Sequence, residues 1–292
     1  MAENTTTLSS EAYFINAFVI AVLFIIGVAG QTVSLMVLLG KVHRQRDFTP
    51  YFVNIAVANS LMLVLNFPVI FASSVKQRYV LNQVGCNFFG FNAGTTGIVM
   101  ITTLTCVTVA IYRKVTSKNT NTNPKKIISS WRRDIAGTWL YSIALMLPPL
   151  FGWNSTVVQT SKTSCAPNWR AKSAKDIAYL VVLSVLAFLI PLTISLVYFI
   201  KLYRYIESNQ RTNQALSIQQ RRAYEHYKMG ARMIAIATLM FFLVWAPYCA
   251  FALASTVYQG LLIEGDVAII PALMAKTSVI YSPIIYAIVN RR

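Results

Sequence analysis

Acidic residues are scarce in this chain, and none of them lies deep inside one of its long apolar runs. Only nine of the 292 residues are Asp or Glu, against 26 Lys and Arg, so the net charge is +17. There are two histidines and four cysteines. No grouping of these residue types has the spacing of a metal site or of a nucleophile with its base. The sequence therefore disfavours a conventional enzyme and a metal-binding protein.

Apolar residues dominate what is present. They make up 56% of the chain, and the mean hydropathy is +0.55, which is typical of a bundle of membrane spans. The pattern predicts an all-α membrane protein, a bundle of seven transmembrane helices over residues 14–290 in a lipid bilayer. The predicted spans are 14–40, 50–75, 84–112, 132–152, 176–203, 229–258 and 267–290.

Basic residues are concentrated in alternate gaps between the predicted spans. Such alternation places the basic gaps in the cytoplasm, so the N-terminal segment 1–13 is extracellular. An odd number of spans then puts the C-terminus inside. Charge arranged in this way reflects membrane topology and contact with anionic lipid, so it does not indicate a nucleic-acid partner.

One basic residue, Lys276, lies inside the last apolar run. It is ten residues from Asp266 and ten from Tyr286, which is about 15 Å from either point along a helix. A lysine at that depth costs a few kcal/mol unless it is paired, neutralised or chemically modified. Burial favours the neutral amine, which is the nucleophilic form that makes a Schiff base. The alternative is a tolerated lysine that faces a water-filled cavity.

The four cysteines fall into two pairs. Cys86 begins the third span on the outer side and Cys165 lies in the outer loop before the fifth span, so a disulfide between them is predicted. Cys106 and Cys249 lie within apolar runs and are interpreted as packing residues. Two outer segments also carry acceptor sequences for N-glycosylation, which begin at Asn4 and Asn154.

Several motifs along nearly the whole chain resemble those of the animal opsins, the retinal-binding members of the rhodopsin-like receptors. Lys276, followed by a Pro-x-x-Tyr sequence, is the feature specific to opsins. The similar segments are Ala275-Lys276-Thr277-Ser278, Tyr281-Ser282-Pro283-Ile284-Ile285-Tyr286, Trp245-Ala246-Pro247-Tyr248, Asn54-Ile55-Ala56-Val57-Ala58, Trp139, Pro148-Pro149-Leu150-Phe151-Gly152-Trp153 and Gly85-Cys86-Asn87-Phe88-Phe89-Gly90-Phe91.

The resemblance implies a light-sensing G-protein-coupled receptor in the plasma membrane of a photoreceptor cell. Lys276 would hold 11-cis-retinal as a Schiff base, and a heterotrimeric G protein would be the partner. An apolar, aromatic cavity suits a long polyene. The residues expected around retinal are Trp245, Tyr248, Phe241, Phe188, Gly94, Gly97, Phe89 and Ala272.

The chain departs from the opsin pattern in its counterion. The two positions that carry the family's carboxylate are occupied by Phe89 and Gln159. We therefore expect either a neutral Schiff base, which would absorb toward the ultraviolet, or a bound chloride held with help from Gln159 or Asn92. A third possibility is an acid from an outer helix end that folds inward.

The chain also departs from the family in its activation motifs. The Asp-Arg-Tyr triplet falls on Ala110-Ile111-Tyr112, and Arg113 follows one place later, rotated by about 100° around the helix. Ser282 stands where the family has Asn before Pro283 and Tyr286. Light capture is thus better supported than coupling.

These departures leave two alternatives to a signalling receptor. One is a retinal photoisomerase or a pigment that does not couple, and the other is a chemoreceptor in which Lys276 pairs with an anionic ligand. Motifs that depart from the family pattern in this way suggest a divergent invertebrate opsin of the cnidarian type. The printed chain stops at Arg292, directly after the seventh span, so the eighth helix and tail that the resemblance implies are expected beyond it.

Overall fold

In the computed structural model, the described part of the chain folds into seven helices and one short hairpin. It comprises residues 8–40, 48–116, 124–208, 218–257, 269–281 and 283, of which the side chains of 124–129, 218–224, 226 and 227 are not described. The helices are α1 (Ser10–Leu39), α2 (Thr49–Val75), α3 (Gln83–Thr116), α4 (Pro124–Met146), α5 (Ala174–Ser208), α6 (Ile218–Val257) and α7 (Ile269–Tyr281).

The helices have the length and composition of membrane spans. Among the described residues, six are long and apolar enough to cross a bilayer, and α7 is a shorter apolar helix. The predicted fold class, a bundle of seven transmembrane helices, is confirmed. The only β-structure in the described ranges is the hairpin of β1 (Thr156–Val158) and β2 (Cys165–Pro167) in the outer loop.

Several helix ends differ from the predicted span ends for local reasons. Helix α1 begins at Ser10, inside the predicted outer segment 1–13, because the Ser9 hydroxyl accepts a hydrogen bond from the Ala12 amide at 3.1 Å. Helix α4 ends at Met146, before the predicted residue 152, because two consecutive prolines follow. The chain continues there as a 3₁₀ turn, Pro148–Phe151.

Prolines distort two of the spans in the same way. Each of Pro68 and Pro191 follows a short π-helical segment, Met62–Asn66 in α2 and Val185–Leu189 in α5. Proline lacks an amide donor, and its ring clashes with the carbonyl four residues earlier, so one wider turn relieves the conflict. The wider turn rotates the residues before each proline relative to a regular helix.

Helix α3 is the centre of the bundle. In its most apolar window 72% of the residues are buried, against 22% in α5. One buried cluster joins α3 to α2 and α6 through Ile55, Val99 and Phe241. A second cluster joins α1, α2 and α7 through Ile20, Leu63 and Val279. Side chains that face inward from α3 therefore meet most of the other helices.

The outer hairpin lies against the outer end of α3. Strands β1 and β2 pair antiparallel, with Val158 opposite Cys165. Cys165 forms the predicted disulfide with Cys86, at a Cα–Cα distance of 5.5 Å. A Cβ atom added at Gly90 would lie 2.6 Å from Thr156 Cγ2, so the hairpin can approach the helix only over a glycine. The loop is thus fixed over the centre of the bundle.

Candidate functional site

A cavity of about 180 Å³ lies in the outer half of the bundle, beneath the hairpin. Residues from α2 to α7 and from the outer loop with its hairpin line it. Most of its wall is apolar, as in typical sites for small apolar ligands. The predicted residues that line it are Lys276, Trp245, Tyr248, Phe241, Phe188, Gly94, Gly97 and Ala272.

Lys276 supplies the only basic side chain in the described lining of this cavity. Its Nζ donates a hydrogen bond to the carbonyl of Ala272, one turn earlier in α7, at 3.3 Å. No acidic side chain lines the cavity among the described residues. The helix is interrupted by a turn at Thr277, immediately after the lysine. Lys276 is thus an amine in apolar surroundings that donates to a backbone carbonyl of its own helix.

The aromatic residues of α6 contact one another in a row along the cavity. The ring of Phe241 stacks on Trp245 with centroids 5.5 Å apart and an angle of 18° between planes. Tyr248 meets Trp245 edge-on at 6.1 Å, and Phe188 of α5 meets Phe242 edge-on at 5.2 Å. Such contacts hold large apolar rings in fixed orientations.

Two glycines of α3 make room for this wall. A Cβ atom at Gly97 would lie 3.0 Å from Cη2 of Trp245. At Gly94 it would lie 2.3 Å from the terminal methyl of Met146. The glycines predicted around retinal therefore shape the site by allowing Trp245 and Met146 to lie close to the helix backbone.

A polar group lies at the outer end of the cavity, where Gln159 of the loop meets Tyr248. Gln159 Nε2 donates to Tyr248 Oη at 3.1 Å, and Ser164 Oγ donates to Gln159 Oε1 at 2.6 Å. Trp169 Nε1 also donates to Tyr248 Oη, at 3.3 Å. Because the phenol oxygen accepts two hydrogen bonds, its own O–H proton is available as a donor.

Asn66 is a polar lining residue that sequence reasoning missed. Its Nδ2 donates to the carbonyl of Phe89 at 2.8 Å, and its Oδ1 accepts from Nδ2 of Asn92. Because a carbonyl can only accept, the orientation of the Asn66 amide is fixed. Asn66 is the last residue of the π-helical segment before Pro68. That proline was the available signal, but a proline alone does not reveal which residue is turned inward.

Phe89 does not line the cavity, which corrects the prediction that it does. It packs edge-on against Phe88 at 5.1 Å and contributes only its carbonyl, through Asn66. Asn92 does not line the cavity either; its side chain reaches α2 rather than the ligand space. Asn66 and Gln159 therefore provide amide groups there instead.

The acidic residues within the described ranges are engaged elsewhere or exposed. Asp176 lies in the first turn of α5, where it accepts from the backbone amide of Asn154 at 2.8 Å and from Oγ of the N-cap residue Ser173 at 2.6 Å. Asp134 accepts from Tyr51 Oη at 2.5 Å near the cytoplasmic end. Glu11, Glu207 and Glu225 are exposed. Inward folding of an acid is not seen for these five residues.

Asn154 is 4% exposed. Its side-chain amide donates to the Asn168 carbonyl at 3.3 Å and its Oδ1 accepts from the Asn168 amide at 2.9 Å. A buried, hydrogen-bonded amide argues against a glycan at this position, so Asn154 is better interpreted as a loop-stabilising residue. The other predicted acceptor, Asn4, lies outside the described residues, and so do Ser282 and Tyr286 of the activation motif.

The cytoplasmic end of α3 is closed by apolar packing. Ile111, at the position of the family's arginine, is 1% exposed and packs in a cluster with Tyr51, Leu202 and Ile234. Tyr112 contacts Tyr198 edge-on at 5.2 Å, whereas Arg113 is exposed. Pro283, two residues beyond the end of α7, packs near Gly30, where an added Cβ would lie 3.0 Å from it.

The chain is similar to known receptors over most of its length. The family described as 7 transmembrane receptor (rhodopsin family) matches residues 30–286. Melanopsin of Mus musculus is 31% identical over 284 residues, which cover 92% of this chain and 53% of melanopsin. Opsin-3 of Mus musculus is 30% identical over 292 residues, which cover 97% of this chain and 70% of Opsin-3. The chain thus spans about half the length of the mouse melanopsin.

The structural comparison agrees with the sequence comparison. The crystal structure of squid rhodopsin matches with a TM-score of 0.89 and 18% identity, over 99% of this chain and 86% of that chain. At this identity the match shows the fold alone. Together with the family match and the similarity to Opsin-3, it establishes that this chain belongs to the opsins of the rhodopsin family of seven-transmembrane receptors.

Proposed function

We propose that this chain is a light-sensing receptor that holds retinal through a Schiff base on Lys276 and signals through a heterotrimeric G protein from the plasma membrane of a photoreceptor cell. The observation that carries the proposal is that Lys276 lines an apolar, aromatic cavity. No acidic residue is among the described residues of that lining. Retinal supplies the absorption of light when it is bound.

The residues present fit such a chromophore. Phe241 and Trp245 offer flat apolar surfaces, and the two glycines of α3 let Trp245 and Met146 lie close to the helix backbone. The Lys276 amine needs only to release the Ala272 carbonyl to react with an aldehyde. Since most of the lining is apolar, water is largely excluded from the amine.

The same residues offer a route from the cavity to the rest of the bundle. Trp245 lies two residues before Pro247, which falls inside α6, and a proline inside a helix is a common point of bending. A change at the cavity that displaces the indole ring would act on α6 at this point. Phe241 and Phe242 continue the contact toward α3 and α5.

The hydrogen-bonding groups around the cavity support the two counterion hypotheses. The side-chain oxygens of Gln159 and Asn66 already accept from Ser164 and Asn92. These two amides and the Tyr248 hydroxyl therefore have N–H and O–H donors left, whereas a protonated Schiff base needs an acceptor. Donors stabilise either a neutral imine nitrogen or an anion such as chloride. We therefore propose that the resting pigment either is neutral or holds chloride near Gln159 and Tyr248.

Absorption spectroscopy tests the proposal directly. The purified protein is incubated with 11-cis-retinal, in chloride and in a chloride-free salt, and spectra are taken before and after illumination. A light-sensitive band that is lost in Lys276→Ala is the expected result. A band that responds to chloride indicates an anion, and an ultraviolet band that does not respond indicates a neutral Schiff base. Absence of any band would favour the chemoreceptor instead.

A pigment that does not couple is the second candidate, and one observation favours it. Ile111 is buried in the position where the family presents arginine, and Arg113 is exposed rather than directed into the bundle. Light-dependent nucleotide exchange on a panel of purified G proteins separates the two candidates. A pigment that bleaches or switches normally but stimulates no exchange would be a photoisomerase or a non-coupling pigment.

A further inference from the structure

A second and larger cavity lies next to the first, on the outer side of the bundle. Its volume is about 510 Å³, and we call it the outer vestibule. It shares part of its wall with the Lys276 cavity. The shared residues are Gln159, Pro167, Trp169, Tyr248 and Ala272. The other lining residues come from the outer loop, from the connection after α2 and from the outer half of α6.

The walls of the outer vestibule combine aromatic surface with positive charge. Tyr79, Trp169 and Phe251 contribute rings, and Val157 and Pro167 contribute smaller apolar groups. Lys162 and Arg170 are the two charged residues in the described lining, and no acidic residue of the described ranges lines it. Sites of this volume with a few converging polar groups are typical of small organic ligands.

Tyr79 contributes its ring rather than its hydroxyl to the outer vestibule. The hydroxyl is buried and has no hydrogen-bond partner among the described residues, so it does not face the vestibule.

The vestibule therefore offers two cations beside an aromatic surface. We propose that the outer vestibule binds a small carboxylate with an aromatic body, at a site separate from the Lys276 cavity. The carboxylate is held by Lys162 and Arg170, while Trp169 and Phe251 contact the ring. Because Trp169 donates to Tyr248, an occupied vestibule also contacts the wall of the inner cavity.

Equilibrium binding of radiolabelled indole-3-acetate to the protein in lipid nanodiscs tests the proposal without retinal. Indole-3-acetamide is the matched probe, since it has the same shape and no charge. We expect saturable binding of the acid and at least tenfold weaker binding of the amide. The double variant Lys162→Gln/Arg170→Gln is expected to lose about tenfold or more in affinity, as for other charge-assisted hydrogen bonds.

Two further variants locate the bound anion. Lys172→Gln removes an exposed cation of the same loop that does not line the vestibule, and it is expected to bind as the wild type does. Lys276→Ala is also expected to bind normally, because the proposed site does not include that amine. Loss of binding in Lys276→Ala alone would put the anion in the inner cavity and overturn the proposal. Equal binding of acid and amide, or normal binding by the double variant, would overturn it as well.

Discussion

At the scale of single residues, the site depends on side chains whose partners the structure identifies. Lys276, Gln159 and Tyr248 all line one cavity although they come from α7, the outer loop and α6. Gln159 is held by Ser164 on one side and bonds Tyr248 on the other. The position of the Gln159 side chain is therefore well defined. Replacing its amide nitrogen by oxygen, as in glutamate, would put a negative charge on the cavity wall.

Replacing Gln159 by Glu is expected to shift the pigment band into the visible and to remove any dependence on chloride. A carboxylate of nearly the same shape can still accept from Ser164, and it would stabilise a protonated Schiff base across the cavity. The measurement is the absorption maximum in chloride and in chloride-free buffer. Gln77→Glu is the matched control, because Gln77 is exposed, does not line this cavity and bonds the Ser10 hydroxyl, which can donate to a carboxylate. An unchanged spectrum in Gln159→Glu would contradict the prediction.

The two glycines of α3 are expected to respond differently to alanine. At Gly97 the added methyl would press on Trp245, a rigid ring in an aromatic stack, and overpacking of this kind costs about 1–3 kcal/mol. At Gly94 it would meet the flexible end of Met146, which can move aside. Gly97→Ala should therefore lower the yield of pigment and the unfolding temperature more than Gly94→Ala. The reverse order would show that the Trp245 ring is free to move.

At the scale of secondary-structure elements, short-range interactions decide where helices bend and how the loop is placed. Pro68 and Pro191 each follow a π-helical segment, and these segments contain Asn66 and Phe188, which line the cavity. The hairpin closes the cavity because a disulfide fixes β2 to the start of α3. The site therefore needs both the hairpin and the π-helical segments of α2 and α5.

Removing the disulfide with Cys86→Ser/Cys165→Ser is expected to destabilise the fold by about 2–5 kcal/mol. Without it the hairpin is held mainly by Gln83, which donates to the Thr156 carbonyl at 2.8 Å, and by packing on Gly90. Thermal unfolding in detergent provides the measurement. Cys106→Ser is a suitable control, since that thiol is unpaired. Equal stability of the double variant and the control would show that the disulfide does not hold the loop.

At the scale of the whole molecule, the described part of the bundle has its two larger cavities toward the outer side and buried apolar packing toward the cytoplasm. The inner cavity and the vestibule both lie toward the outer side. Toward the cytoplasm, Val107, Ile111 and Ile234 are almost completely buried, and Tyr51 bonds Asp134 between α2 and α4. Any opening toward a G protein must therefore separate apolar side chains.

Introducing the family's arginine by Ile111→Arg is expected to destabilise the receptor strongly. The new guanidinium would lie among Tyr51, Leu202 and Ile234, and an unpaired buried charge costs several kcal/mol. Arg113→Ala, at an exposed position, should change stability by no more than about 0.5 kcal/mol. Thermal unfolding compares the two variants. An Ile111→Arg protein of normal stability that gains light-dependent nucleotide exchange would show that the cytoplasmic end reopens easily.

The sequence by itself determined the class of protein, and it predicted the membrane topology and singled out Lys276. Apolar runs of membrane length and alternating positive charge depend only on local composition, so they predicted the seven helices without knowledge of packing. Lys276 was evident for the same reason, because a lone charge inside an apolar run needs no three-dimensional context to be unusual. The disulfide also followed from the sides on which Cys86 and Cys165 lie.

The tertiary structure alone decided which side chains meet. The π-helical turn before Pro68 adds one residue to a helical turn and so changes the direction in which the Asn66 side chain points. Sequence periodicity assumes a regular helix and therefore did not predict this change. Phe89 was expected beside retinal from the resemblance, whereas its ring packs on Phe88 and does not line the cavity. The vestibule joins residues from α6, the outer loop and the connection after α2. Contacts between segments so far apart in the chain depend on packing angles, which hydropathy and spacing do not encode.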